Sequence, residues 1–150
     1  MDKFKNRIHR WTLILGVAQI TFGCVVGFIP PTAVAWFRGI VMSHIEYTAN
    51  GVLVVAFGLL LSEMNLGKKL LSVWFWTLQL GTWTNGTAGL VGAIIGHSSK
   101  LMPTINEKFP APNSLNHGAV TGLLLVCGIT VLVALLLTIY GLVNRTPAKS

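Results

Sequence analysis

The stretch GIVMSHIEYTANGVLVVAFGLLLS, residues 39–62, decides the fold. Its second half, VLVVAFGLLL, contains only apolar residues and glycine. A helix of about 20 mostly apolar residues crosses the hydrocarbon core of a membrane. The first half nevertheless carries four polar groups within seven residues: His44, Glu46, Tyr47 and Asn50. Ionisable groups are costly inside a membrane, so this concentration indicates a functional site.

The composition is that of a membrane protein. Of 150 residues, 53% are hydrophobic and only 10% are charged, whereas soluble domains carry about 25% charged residues. Four apolar segments predict membrane-crossing helices at about residues 11–29, 39–62, 70–96 and 115–143. The sequence therefore predicts an all-α integral membrane protein. It is expected to be a four-transmembrane-helix bundle that forms a single domain over residues 1–150.

Positive charges predict the orientation of the bundle. Three basic residues lie on one predicted side: Arg38, Lys100 and Lys108. The others lie on the opposite side: Lys3, Lys5, Arg7, Arg10, Lys68, Lys69, Arg145 and Lys149. Because positive residues concentrate in cytoplasmic segments, both termini are predicted on the cytoplasmic side, in the inner membrane if the source is bacterial. These tails and loops explain the net charge of +7. The expected partner is the lipid bilayer, and no nucleic-acid partner is expected.

Polar side chains concentrate in the half of the predicted bundle away from the termini. His44 admits two interpretations, because a neutral imidazole is a common haem or metal ligand but can also be satisfied by neighbouring helices. Asn85 can join helices through hydrogen bonds, or it can serve a site. His97 and His117 suit ordinary interfacial positions as well as ligation. The residues alone leave these alternatives open.

Glu46 requires a partner or a proton, because a bare carboxylate in lipid is very unfavourable. Arg38 and Lys100, which lie towards the same end of the bundle, are its expected partners. Helix geometry separates Glu46 from His44. At about 100° per residue, Asn50 lies about 120° around the helix from His44, whereas Glu46 and Asn50 share a face. If His44 and Asn50 serve one pocket, neighbouring chains supply them.

Two further features concern packing. The segments Gly23–Gly27, Gly92–Gly96 and Gly118–Gly122 fit the small-xxx-small pattern, which permits close helix packing within the bundle or between chains. The long connection, HSSKLMPTINEKFPAPNS (residues 97–114), contains prolines that argue against a regular helix. It is either a functional cap over the polar end of the bundle or a solvated connector.

Two stretches carry a family resemblance. SHIEYTANGVLVVAFGLL resembles the second-span signature of the hydroxylaminobenzene mutases, and GTWTNGTAGLVGAIIGHSSKLMPTI resembles their third-span signature. The spacing is also similar to that of the styrene oxide isomerases, which share the His-x5-Asn-Gly pattern. The second resemblance implies a trimer of four-helix chains with haem b at the subunit boundaries. Its iron would be a Lewis acid for an epoxide oxygen.

The resemblance assigns roles to individual residues. His44 matches the axial haem ligand and is therefore the predicted metal-binding residue. Asn50 matches the substrate-pocket asparagine, and Asn85 matches the third-span asparagine. The chain departs from the styrene oxide isomerases at two positions. Gly89 stands where those enzymes have a catalytic tyrosine, and Gly81 stands where they have an acidic residue. The mutases also lack that tyrosine, so they are the nearer match.

The resemblance therefore implies a haem b-dependent mutase that converts an aryl hydroxylamine to an aminophenol. The substrate would be a small aromatic molecule arriving from lipid. The residues predicted to act in catalysis are Asn50, Asn85 and Glu46, with Glu46 positioning a neighbour or relaying a proton. Those predicted to bind the cofactor are His44, Trp83 and Tyr47.

Three alternatives follow from the same residues. An epoxide isomerase of the styrene oxide type is the nearest. A small-solute transporter would depend on Glu46 as its membrane carboxylate. An electron-transfer cytochrome would use two histidine ligands, His44 and His117.

Overall fold

A computed structural model describes residues 2–145, which form five α-helices. They are α1 (Lys3–Val26), α2 (Phe37–Leu60), α3 (Lys68–Ile95), α4 (Pro103–Lys108) and α5 (Gly118–Val143). Short 3-10 turns precede α2 at Pro31–Ala33 and follow it at Leu61–Glu63. No strand occurs in the described residues, so the all-α prediction is confirmed. Lys149, which contributed to the predicted orientation, lies outside the described residues.

The observed helix bounds differ from the predicted segments mainly at the start of the chain. α1 begins at Lys3 rather than near residue 11, because the basic amino-terminal segment is itself helical. Asp2 caps it: the backbone N–H of Lys5 donates to the Asp2 carboxylate at 2.8 Å. That hydrogen bond is also the main reason why the pKa of Asp2 lies below its usual value.

The long connection contains a helix that the prolines argued against. Pro103 occupies the first turn of α4, where its missing N–H would have had no intrahelical partner. Proline therefore starts this six-residue helix. Beyond it, His117 caps α5, which begins at Gly118 rather than near residue 115.

Within residues 2–145, three helical segments are long and apolar enough to cross a membrane: Lys3–Val26, Phe37–Glu63 and Gly118–Val143. The chain is thus a membrane protein. α3 has the length, with 28 residues, but it is not among the segments that are apolar enough. It contains Gln79 and Asn85 together with several threonines.

The long helices run alternately up and down. α2 packs against α1 and α3, and α3 packs against α5. The start of α1, the turn after α2 and the end of α5 lie at one end, which we call the terminal end. There the Lys5 ammonium donates to the Met64 carbonyl at 2.7 Å, and the backbone N–H of Asn65 donates to the Gly141 carbonyl at 2.8 Å. The polar half of α2 and the long connection therefore lie at the opposite end, the polar end.

Glycines allow the helices to approach closely. A Cβ at Gly51 of α2 would lie 2.7 Å from the Gly16 carbonyl oxygen of α1, and one at Gly39 would lie 2.7 Å from that of Gly89 in α3. Gly118 and Gly122 have nothing within 4 Å of such a Cβ. The last pair therefore has no role in packing within the described part of the chain.

Candidate functional site

His44 lies on the face of α2 that packs against α1. Its Nδ1 is 2.8 Å from the Gly23 carbonyl oxygen. A carbonyl only accepts, so Nδ1–H donates to Gly23, and in the neutral form of the ring Nε2 carries the lone pair. No group within residues 2–145 is hydrogen-bonded to that Nε2. An imidazole held through one nitrogen with the other free is the arrangement of a metal-ligating histidine.

The sequence of α1 makes room for this ring. A Cβ at Gly27 would lie 2.9 Å from His44 Nδ1 and 3.3 Å from its Cε1, so any larger residue would displace the imidazole. One turn earlier, a Cβ at Gly23 would lie 2.7 Å from the Thr48 hydroxyl oxygen. The Gly23–Gly27 pair thus packs within the chain and seats the His44 ring.

Glu46 and Asn85 meet across the interface of α2 and α3. The Asn85 side-chain amide donates to the Glu46 carboxylate in a short hydrogen bond. Both residues line a cavity of about 450 Å³. Its other walls are Met42, Leu124 and residues 101–105 of the long connection. A carboxyl and an amide thus share an otherwise mostly apolar chamber, which suits a small aromatic molecule with one polar end.

The expected ion pair of Glu46 with Arg38 or Lys100 is not formed. The Arg38 guanidinium instead lies 4.5 Å from the centre of the Phe109 ring, in a cation–π contact. In the described part of the chain, the one ion pair joins Arg145 to Glu63 at 2.6 Å, at the terminal end. An amide on the neighbouring helix therefore satisfies Glu46 where a cation was expected.

The long connection closes the cavity from the polar end. Its two ends are joined by backbone hydrogen bonds: Ser98 donates to Ser114 at 2.8 Å, and His117 donates to Ser98 at 2.9 Å. Asn106 of α4 accepts from the Ser98 hydroxyl at 2.6 Å and donates to the Ser99 carbonyl at 2.8 Å. These bonds hold α4 over Glu46 and Asn85, so of the two interpretations the cap fits the structure.

The predicted division of α2 into two faces is confirmed. Asn50 shares the α3-facing side with Glu46, and its amide donates weakly to the Thr82 carbonyl at 3.4 Å. His44 faces α1. The structure thus brings Glu46 and Asn85 together, sets Asn50 one turn away on the same face, and directs His44 elsewhere.

Tyr47 and Trp83, the other predicted cofactor contacts, lie in an aromatic cluster with Phe22. Tyr47 is only 2% exposed. Its hydroxyl is hydrogen-bonded to the Thr87 hydroxyl at 2.7 Å, and its ring centre lies 5.6 Å from that of Trp83. A Cβ at Gly86 would lie 2.6 Å from this ring. Tyr47 therefore acts as a packing residue here, and its predicted contact with a cofactor has no support in this geometry.

His97 and His117 stack on each other where the two ends of the long connection meet. Their ring centres are 4.5 Å apart, and the planes are inclined by 31°. Each Nδ1 is buried without a hydrogen-bond partner among residues 2–145. His117 thus contacts His97, and within residues 2–145 no hydrogen bond or ring contact joins His117 to His44. The electron-transfer alternative, in which both histidines bind one haem, stays a prediction.

Sequence reasoning missed two buried amides. Gln19 of α1 is fully buried and Gln79 of α3 is 5% exposed. Neither side-chain amide has a hydrogen-bond partner among the described residues. The signal was present, because Gln19 is the one amide in the apolar run from residue 11 to residue 29.

The fold and the site together define a membrane protein with a polar internal site. The architecture is all-helical, several helices have membrane length, and a carboxyl–amide pair lies between two of the helices. The chain belongs to the styrene oxide isomerase family, which matches residues 8–143. Hydroxylaminobenzene mutase HabB from Ectopseudomonas oleovorans is 29% identical to it over 142 residues, covering 95% of this chain and 85% of that protein. No solved structure matches.

Membership of this family confirms the predicted resemblance. It supports an isomerase or mutase acting on aromatic substrates, since the family is named for an isomerase and the relative is a mutase.

Proposed function

We propose that this protein is a haem b-dependent membrane mutase that rearranges an aryl hydroxylamine to an aminophenol. The observation that carries the proposal is the state of His44, whose Nδ1 is engaged by Gly23 while Nε2 is free. The name of the relative HabB supports the substrate class.

The residues present suit a haem with one protein ligand. His44 Nε2 would hold the iron, because neutral imidazole is the common proximal ligand of haem proteins. Its hydrogen bond to the Gly23 carbonyl fixes the tautomer and the orientation of the ring. Haem iron, when bound, supplies a Lewis acid that polarises the N–O bond of the substrate.

The carboxyl–amide pair suits the proton chemistry of the reaction. The rearrangement breaks the N–O bond, forms a C–O bond at a ring carbon, and moves one proton from that carbon to nitrogen. No electron is gained or lost overall. The Glu46 carboxylate, held by the Asn85 amide, would accept the ring proton and return it to nitrogen. Asn50 would orient the polar end of the substrate by hydrogen bonding.

The opposed faces of α2 support a site shared between chains. His44 faces α1, whereas Glu46 faces α3 and the cavity. We therefore propose that His44 of one chain and the Glu46–Asn85 pair of the next face one haem at the subunit boundary. The number of subunits, three, is what the resemblance to the styrene oxide isomerases implies. In this assembly all four long helices, including α3, cross the membrane with both termini in the cytoplasm. The aromatic substrate would reach the cavity from lipid, with Trp83 packing on its ring or on the haem.

The first experiment is the absorption spectrum of protein purified after expression with haem available. We expect a Soret band that is lost in His44→Ala and retained in His9→Ala, a histidine of α1 near the terminal end. Wild-type protein without a Soret band would refute the haem proposal.

Product analysis tests the reaction itself. Incubation with phenylhydroxylamine should give aminophenol, and incubation with styrene oxide should give little phenylacetaldehyde because Gly89 replaces a catalytic tyrosine. The opposite preference would support the epoxide isomerase, the alternative favoured by the family name. Turnover of neither substrate, with proton-coupled solute flux abolished in Glu46→Gln, would support a transporter instead.

A further inference from the structure

The terminal end of the molecule carries more positive charge than its acidic residues balance. Six cations lie at the starts of α1 and α3: Lys3, Lys5, Arg7, Arg10, Lys68 and Lys69. The two acidic residues at this end are already engaged, because Asp2 caps α1 and Glu63 pairs with Arg145. Arg7 and Arg10 have no carboxylate partner within residues 2–145. A cationic surface of this kind beside a membrane attracts anions.

A groove between α1 and α3 begins at these arginines. It encloses a cavity of about 650 Å³, with Arg7 in its wall and an otherwise largely apolar lining that includes Phe4, Trp11, Leu15, Phe75 and Trp76. A neighbouring cavity of about 500 Å³ is lined by Arg7, Arg10 and Trp11. Trp11 is 50% exposed and Trp76 is 68% exposed. The groove thus has cationic side chains at one end and aromatic and other apolar side chains along the rest of its wall.

We propose that this groove binds an anionic phospholipid. The phosphate would lie on Arg7 and Arg10, since guanidinium groups bind phosphate through paired hydrogen bonds. One acyl chain would lie along Trp11 and Trp76, because tryptophan packs well at the membrane interface. The largely apolar wall, which Ser72 and Gln79 interrupt, favours a lipid over free phosphate. No carboxylate lines the groove within the described residues, and Arg7 and Arg10 favour a headgroup with a net negative charge. This inference does not rest on the proposed enzymatic function.

Quenching of tryptophan fluorescence by brominated acyl chains tests the site. The wild-type protein is reconstituted in phosphatidylcholine vesicles, and brominated phosphatidylglycerol or brominated phosphatidylcholine is titrated in. We expect a relative binding constant roughly 30-fold in favour of phosphatidylglycerol, as two arginines near an anionic headgroup would give at about 1 kcal/mol each. The variant R7Q/R10Q should reduce the ratio to near one. Its matched control, Lys69→Gln, removes a charge from the same end outside the groove and should keep the preference.

A second variant guards against a folding defect in R7Q/R10Q. Trp11→Phe should retain both arginines and the lipid preference in native mass spectrometry, but lose the part of the extra quenching that Trp11 contributes, with Trp76 supplying the rest. Equal quenching by the two lipids in wild-type protein would overturn the proposal, as would a preference that survives R7Q/R10Q. If millimolar inorganic phosphate removed the preference at constant ionic strength, the site would be one for phosphate, and the lipid proposal would be wrong.

Discussion

The imidazole of His44 donates a hydrogen bond to the carbonyl of Gly23, and this contact is one of several that join α2 to α1 at the polar end of the bundle. It links packing to chemistry, because the close approach of the two helices is what selects the ring tautomer. The same approach depends on the absence of side chains at Gly23 and Gly27.

Gly27→Ala should therefore impair haem binding without touching the ligand itself. The new Cβ would lie 2.9 Å from His44 Nδ1 and push the ring out of its hydrogen bond. We expect roughly 10–100-fold weaker haem binding, the usual effect of losing an outer-shell partner, measured as Soret absorbance during haem titration. Gly122→Ala is the control, since nothing lies within 4 Å of its Cβ. Equal haem affinity in the two variants would show that the space at Gly27 does not control how the His44 ring is held.

Glu46→Gln should separate chemistry from cofactor binding. The glutamine can still be hydrogen-bonded to Asn85 but cannot accept the ring proton. We expect kcat for phenylhydroxylamine to fall by about 10²–10⁴-fold, with KM and the Soret band little changed. Glu107→Gln, which alters an exposed residue of α4, should keep wild-type kcat. A Glu46→Gln variant with wild-type kcat would remove Glu46 from the mechanism.

Asn106→Ala should loosen the cap over the cavity. The substitution removes the hydrogen bonds to Ser98 and Ser99 that anchor α4. We expect faster tryptic cleavage after Lys100 and Lys108, by roughly tenfold if the bonds together contribute about 1–2 kcal/mol. Asn116→Ala is the comparison, because its side chain makes no hydrogen bond within the described residues. Unchanged cleavage would mean that other contacts hold the cap closed.

Thr138→Val should destabilise the contact of α3 with α5. The indole N–H of Trp74 donates to the Thr138 hydroxyl at 2.9 Å, and both residues are buried. Without this acceptor the indole donor is unpaired, which costs about 1–3 kcal/mol. The loss should appear as a lower unfolding temperature in detergent. Thr130→Val, whose hydroxyl donates only within its own helix, should change that temperature much less.

The parts of the structure that depend on local sequence could be predicted. Apolar runs predicted the long helices, and the angle per residue predicted that His44 and Asn50 face different neighbours. Helix starts are predicted less accurately, because the apolar run that defines the first segment begins at Trp11 and the prolines of the long connection argue against a helix there. Asp2 and Pro103 instead begin helices.

Contacts between helices could not be predicted in the same way. Arg38 and Glu46 are close in sequence and opposite in charge, yet Glu46 meets Asn85, which lies 39 residues further along the chain. Which side chains meet depends on how α2 and α3 cross, and that is set by glycine contacts such as Gly39 with Gly89. The enclosure of Tyr47 by Phe22 and Gly86 depends on the same crossings.

The contacts that hold the His44 ring have a consequence for how the protein is assembled. Every group that fixes the ring, namely Gly23, Gly27 and the imidazole itself, lies within the first 44 residues of the chain. The contacts that hold the ring are therefore complete in the hairpin of α1 and α2 and require neither α3 nor α5. The Glu46–Asn85 pair needs α3 as well, so the proposed haem ligand depends on a shorter part of the chain than the proposed proton acceptor does.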